Sequence, residues 1–522
     1  MKTIKTLFNK APANVEGATI LHFFLISCVL VVLSDIPNNF GGAYIAAKSF
    51  LAFSLLSILF FPLRPAIIIL ILLAVAGQDN VSSLDAAYSF TQYSTSSIWQ
   101  LQIGPLNASL IVLLLIFIKL IQEKTLLLPK QIKQVLLWFL TVPIATALLY
   151  GNFTTDYAST EIVVDIKFPL ILLSTIILCY LLLCKSYKNS NIILSALVGG
   201  LLARHLADLL MLAANYGPAI AQGISRGSID SAKGGVIFLI FFGTCLFLLQ
   251  KRLLMAMIIA IPSVLLLIAY GTRMLWVTFA LGIIVLLFFL ETRKIFFFIV
   301  IILTLTGCGI GALSVVNPDA GAVILLRSQT ITKGRAQDQF KVNVNYNIIS
   351  RIDPARYAEF FNILDSLNTR LAFLWGSGYG GYYNDNVLPF PPDLSSAFPR
   401  YSFLTHKFYR AHGYPTHIIL KYGLIGFFII SSLWITPWIK ILKIYRNNNM
   451  FTNREQRMTN LVMLCVVAFV PTAMLQLYWS GKGLFINGLL IACCLKFVQL
   501  NISQTACSKN NSDPFLITNE QI

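Results

Sequence analysis

The chain has 522 residues, of which 57% are hydrophobic and only 11% charged, and it carries a net charge of +18. Its mean hydropathy is +0.76. A soluble globular domain has about 25% charged residues, so the composition excludes a soluble globule and describes a polytopic membrane protein. The positive charge requires no nucleic acid, because most of the excess lies in short connections where membrane topology and anionic lipid account for it.

Runs of roughly 17 to 25 apolar residues cross a bilayer as helices. In chain order they lie near 18–34, 43–61, 65–77, 106–121, 135–150, 169–184, 192–213, 234–250, 253–270, 274–290, 295–316, 417–439, 460–478 and 484–499. The expected fold is an all-α transmembrane bundle of about 12 to 14 spans, the third of them short. The first run lacks a small-residue cleavage site and reads as an uncleaved span.

Lys and Arg collect in alternate connections. Lys2, Lys5 and Lys10 precede the first span, and Arg64, Lys124, Lys130, Lys133, Lys185, Lys188, Lys251, Arg252, Arg293, Lys294, Lys440, Lys443 and Arg446 keep the same parity. The positive-inside rule then puts both termini in the cytoplasm and four polar segments outside: 78–105, 151–168, 214–233 and 317–416. The chain divides into N-terminal transmembrane helices (1–191), central helices with Arg-bearing external turns (192–316), a large external loop (317–416), C-terminal helices (417–499) and a cytoplasmic tail (500–522). Of the nine cysteines, none falls in an external segment, so a disulfide framework and a Cys-rich metal site are not expected. No GxxxxGK[ST] or HExxH motif occurs, and no cofactor is implied.

Ionisable residues inside spans are costly and point to function by default. Arg204, His205 and Asp208 lie in the seventh span; Arg204 and Asp208 are four apart on one helical face, so an internal ion pair is the plain alternative to a substrate role. Arg273 stands alone in a short external turn, where it grips an anion or snorkels to lipid headgroups. Arg226 lies in the external segment GISRGSIDSAKGG. In the large loop, apolar residues from Arg351 to Leu374 recur at helical spacing and predict an amphipathic helix, with Arg351 and Arg356 at its start. The following GSGYGGYYNDN reads as ordered turns that either stack a sugar or pack onto the spans. His412 and His417 border the next span. A neutral imidazole there accepts a proton at ambient pH; the plain alternative is a helix anchor or a satisfied buried group.

The order of these features resembles the O-antigen polymerase and O-antigen ligase superfamily: an Arg just before a span (YGTRMLW), a loop Arg ahead of a Gly-rich turn (SRIDPARYAEF, then WGSGYGGYY), and His412 eleven residues before GxxG (Gly423, Gly426). Gly413 stands where family members commonly have Asn. The likeness covers roughly 192–428. It implies a family C glycosyltransferase-like bundle in the bacterial inner membrane. Such enzymes move a glycan, without a metal, from undecaprenyl diphosphate to an acceptor hydroxyl at the outer face. On this resemblance His412 is the base, Arg273 with Arg204 or Arg226 holds the diphosphate, and Arg351, Arg356 and His417 are further substrate-binding candidates. The product favoured is polymerised O-antigen or a related surface polysaccharide, with a chain-length regulator as the partner a polymerase implies. The alternatives are a ligase using a lipid A core acceptor and, from a different class, a flippase or transporter without chemistry.

Overall fold

The computed structural model describes residues 16–77, 96–103, 106–123, 130–154, 159–186, 188–215, 233–270, 273–288, 354–390, 400–411, 414–447 and 481–510, with isolated helical residues near 293–311 and 461–469. The described chain is almost wholly helical. Its principal helices are α1 (Gly17–Ser34), α2 (Gly42–Leu56), α3 (Leu63–Ala76), α4 (Ala108–Gln122), α5 (Lys130–Thr154), α6 (Ser159–Lys185), α7 (Asn189–Asn215), α8 (Lys233–Gln250), α9 (Leu253–Tyr270), α10 (Arg273–Leu287), α11 (Pro354–Thr369), α12 (Arg400–Thr405), α13 (Tyr414–Asn447) and α14 (Gly481–Asn510). A two-residue antiparallel ladder, Gln102–Ile103 with Leu106–Asn107, leads into α4. Asn107 caps α4 by accepting the Leu110 N–H at 3.1 Å, which satisfies one of the helix's unpaired first-turn donors.

Seven helical stretches are long and apolar enough to cross a membrane, and five shorter apolar helices of 10–17 residues accompany them. The chain is a multi-pass membrane protein. The expected spans at 295–316 and 460–478 lie largely outside the described residues, whereas the other twelve each coincide with a described helix. The short third span is α3, which begins after Pro62 and ends at Gly77. It contacts α1, α6, α7 and α14, so Ile67, Ile68, Ile71, Ala74 and Val75 are all buried, and an all-round apolar helix is what a central position selects. By contrast α2 turns Ile45, Phe50 and Phe53 outward, as a lipid-facing helix does.

Helix pairs in lipid associate by close packing of small residues rather than by a hydrophobic force. A Cβ on Gly199 of α7 would stand 2.8 Å from both the Ile20 carbonyl oxygen and the Phe24 nitrogen of α1, and one on Gly488 of α14 would stand 2.9 Å from Thr175 of α6. Glycine at these two positions lets the backbones meet.

The bundle has two chemically different ends. At one, Lys185 pairs with Glu123 at 2.6 Å, Lys119 donates to the Phe61 carbonyl, and Lys496 lies against Cys184. At the other lie the buried ion pairs described below.

Candidate functional site

The site begins with a broken helix. Gly423 interrupts α13 with φ 66° and ψ −175°, a backbone region that costs a non-glycine residue strain. The break frees backbone groups, which lipid cannot satisfy. The turn after α11 fills that need: Ser377 N donates to the Leu420 carbonyl at 2.8 Å and Gly378 N to that of Lys421 at 3.0 Å, while Leu424 N and Ile425 N donate to Phe373 and Leu374 at 3.0 and 3.2 Å. Such backbone pairing needs close approach. A Cβ on Gly376 would collide with the backbone at Lys421 and Tyr422, and one on Gly423 with that at Leu374.

The same turn seats on α5. Pro143 has no N–H to give the Phe139 carbonyl four residues earlier, and the Tyr379 hydroxyl donates to that carbonyl instead, at 3.0 Å. Gly378 packs against Pro143, Thr146 and Ala147. Of the two alternatives weighed for the Gly-rich segment, the structure shows packing onto the spans. Phe139 lies seven residues inside the Ile132–Tyr150 span, so the turn enters the bundle rather than lying over it.

Asp165 of α6 and Lys421 of α13, both fully buried, close the arrangement at 2.5 Å. Asp165 also accepts the Gly380 N–H at 2.8 Å, and Lys421 donates to the Gly381 carbonyl at 2.6 Å. An uncompensated charge would be costly here, whereas a paired and hydrogen-bonded one is tolerated. His417 stands one turn before Lys421 and is buried. Thr416 donates to Glu359 of α11 at 3.2 Å, and Arg410 reaches Glu161 at the start of the α6 span at 3.4 Å. The loop contributes a small core of its own, in which Ala358, Ile363, Leu367, Tyr383, Phe390, Phe408 and Ala411 pack with Leu420. Tyr383 and Phe408 exchange backbone hydrogen bonds at 3.1 and 2.9 Å. Asp385, weighed in sequence as part of an Asn-Asp-Asn run, accepts the Phe390 N–H and bonds His406 at 2.8 Å.

A second cluster lies at the same end, among α1, α3, α7, α9 and α14. Arg204, fully buried, meets Asp208 at 2.5 Å and Asp35 at 2.8 Å, so the internal ion pair expected from the i, i+4 spacing is present and gains a second carboxylate. Burial pushes the Asp35 carboxyl up from its ordinary value, with Arg204 pulling against it. His205 bonds Ser263 at 2.9 Å, and Lys482 donates to the Gly77 carbonyl at the end of α3.

Of the residues singled out in sequence, Arg204 and His417 are buried at this end. Arg273 opens α10, and Arg356 stands in the first turn of α11. His412, Arg226 and Arg351 lie outside the described residues, although Arg410 and Tyr414 on either side of His412 are described. Sequence reasoning missed Asp165, Lys421, Asp35 and Lys482. Their signal was a lone ionisable residue within or at the edge of an apolar run. No known protein family, curated protein or solved structure matches the chain.

Proposed function

We propose that the chain is an inner-membrane glycosyltransferase that moves a glycan from undecaprenyl diphosphate to an acceptor hydroxyl at the outer face, acting as a polymerase of O-antigen or related repeat units. What supports this most is that the residues flanking His412, Arg410 on one side and Thr416 to Lys421 on the other, are fixed to α6, α11 and the Gly-rich turn by ion pairs and hydrogen bonds. A general base needs a fixed position relative to the proton it takes. In the proposed step the acceptor oxygen attacks the anomeric carbon, its proton passes to the His412 ring, and the bond to the diphosphate breaks. Undecaprenyl diphosphate leaves and the anomeric centre inverts. Arg273 and Arg226 hold the leaving group, because an Arg fork gives two parallel hydrogen bonds to phosphate oxygens. Arg204 already faces Asp35 and Asp208, so a diphosphate would compete with two carboxylates for it; its share in binding is the weakest. Arg351, Arg356 and His417 are assigned to substrate contacts around the same loop.

The test is the surface-glycan banding of a deletion strain complemented with wild type, His412→Ala or Arg273→Ala at matched membrane levels. Core carrying a single repeat unit, with no ladder restored by either variant, is the expected result. Bare core with accumulated lipid-linked polymer assigns a ligase with a lipid A core acceptor instead. Full complementation by both variants removes the assigned residues.

One observation favours a second reading, a glycan transporter without chemistry. Broken helices whose freed backbone is buried in protein are a transporter device, and α13 is one. A transporter predicts that His412→Ala still yields the ladder.

A further inference from the structure

Helix α11 closes on a residue that water would not select. Leu371 N donates to the Asn368 carbonyl at 3.0 Å and Ala372 N to that of Leu367 at 2.8 Å, the paired bonds that end a helix through one left-handed residue. That residue is Leu371, with φ 55°, where glycine or asparagine is usual. Its side chain is also 85% exposed. In water the choice is unfavourable twice, once for the backbone and once for the bare apolar surface. Phe373, Leu374 and Trp375 follow it and are exposed as well, while Ala372 among them is buried. Residues 371–377 hold no charge, and Arg370 just before them donates back to the Tyr382 carbonyl at 2.6 Å.

Backbone pairing fixes where this tip stands. The carbonyls of Phe373 and Leu374 accept from Leu424 and Ile425 of α13, so the tip lies level with the first apolar turn after the break at Gly423. A hydrocarbon core takes about 20 helical residues. Counted from Lys185 that length along α6 reaches Asp165, and counted from Lys440 along α13 it reaches the turn of Lys421. Asp165 and Lys421 are the residues that pair at 2.5 Å, so the pair marks the edge of the core and Leu424 and Ile425 stand on its apolar side. Helix α5 sets the adjoining Gly378 deeper still, beside Pro143 and Ala147 within the Ile132–Tyr150 span. The exposed apolar surface then continues along α13 through Phe428, Ile435 and Ile439, inside the Pro415–Lys443 span.

We infer that Leu371, Phe373, Leu374 and Trp375 form a re-entrant tip seated among the lipid acyl chains on the loop's side of the bilayer. Non-helical backbone at that depth must be satisfied by protein, and here it is: two carbonyls go to α13, and the Trp375 and Gly376 N–H groups go to the Ala372 carbonyl at 3.2 and 2.7 Å. Lipid explains Leu371, because the side chain gains hydrocarbon contact that a glycine would give up. Trp375 stands where aromatic residues collect, near the boundary of the core. The loop expected outside the membrane is thereby anchored in it. This goes beyond the transferase reading and stands whether or not the chain moves a glycan.

The test places p-benzoylphenylalanine in the full chain at Leu371, at Leu374, at Phe428 on the lipid face of α13, or at Asp365, an exposed position of α11. Cell membranes are illuminated, the chain is purified, and its adducts are identified by mass spectrometry. Phospholipid adducts at Leu371 and Leu374 are expected at about the yield found at Phe428, and roughly tenfold above that at Asp365. Thermal unfolding matched to wild type shows that each labelled chain is folded, and the two tip positions report independently. Phospholipid yield at both tip positions no higher than at Asp365 overturns the insertion. Adducts to a second copy of the chain or to another membrane protein, in place of lipid, overturn it in favour of a protein interface. Lipid adducts in a chain whose deletion leaves the glycan ladder intact keep the tip and remove the transferase; a lost ladder with no lipid adducts does the reverse.

Discussion

Two charged clusters occupy the same end of the bundle, and they differ in what they hold. Arg204 with Asp35 and Asp208 joins helix to helix, side chain to side chain, with its cation fully buried. Asp165 with Lys421 joins two helices to a turn, and two of its three hydrogen bonds go to the backbone of Gly380 and Gly381. The first cluster closes a bundle. The second sets the shape of a loop, and that loop carries Arg370 and Tyr382 and is tied by the isolated Tyr383–Phe408 bridge to the segment that ends at Ala411. Charge buried in a membrane protein is therefore not one signal: where its partners are side chains it joins helices, and where they are loop backbone it fixes the shape of a loop.

Three variants sharpen that contrast. Lys421→Met leaves Asp165 buried and unpaired and is expected to cost roughly 3–5 kcal/mol, read as a large drop in thermal unfolding temperature in detergent. The double variant Asp165→Asn with Lys421→Met recovers most of it, because no lone charge remains; no recovery would show that the pair does not act as a unit. Arg204→Gln is expected to cost about 3 kcal/mol, near the lower end of the same range, because Asp35 is 18% exposed and keeps some water. Its glycan ladder falls only in proportion to the amount of folded protein, whereas a ladder lost at normal protein level would move Arg204 back into the site. Tyr379→Phe has the smallest effect, about 1–2 kcal/mol, since it leaves the Phe139 carbonyl unpaired beside Pro143. The pairing account predicts that Pro143→Ala, which restores an N–H to that carbonyl, removes most of the Tyr379→Phe penalty in a double-variant cycle.

Much of the fold was legible in the sequence for a plain reason. Length and hydropathy determine a transmembrane helix almost alone, so α1, α8 and α9 begin and end within a few residues of the apolar runs, and the 354–369 helix follows from its apolar spacing. The site was less legible. Arg204 and Asp208 are four residues apart and could be paired from spacing, but Asp35 lies 169 residues from Arg204 and Lys421 lies 256 from Asp165. A lone Lys in an apolar run shows that it needs a partner and not which one. The Gly-rich turn was equally opaque: its glycines signal close approach, and only the break at Gly423, forty residues on in another helix, shows what they approach.

The most direct test of the central claim is reconstitution of the purified chain in proteoliposomes with an undecaprenyl-diphosphate-linked repeat unit, following release of undecaprenyl diphosphate alongside the length of the lipid-linked glycan. Release with lengthening by wild type, and neither by His412→Ala at equal folded protein, is what a polymerase with that base predicts. Donor that crosses the membrane or stays unchanged, with no undecaprenyl diphosphate released by folded wild type, would contradict it.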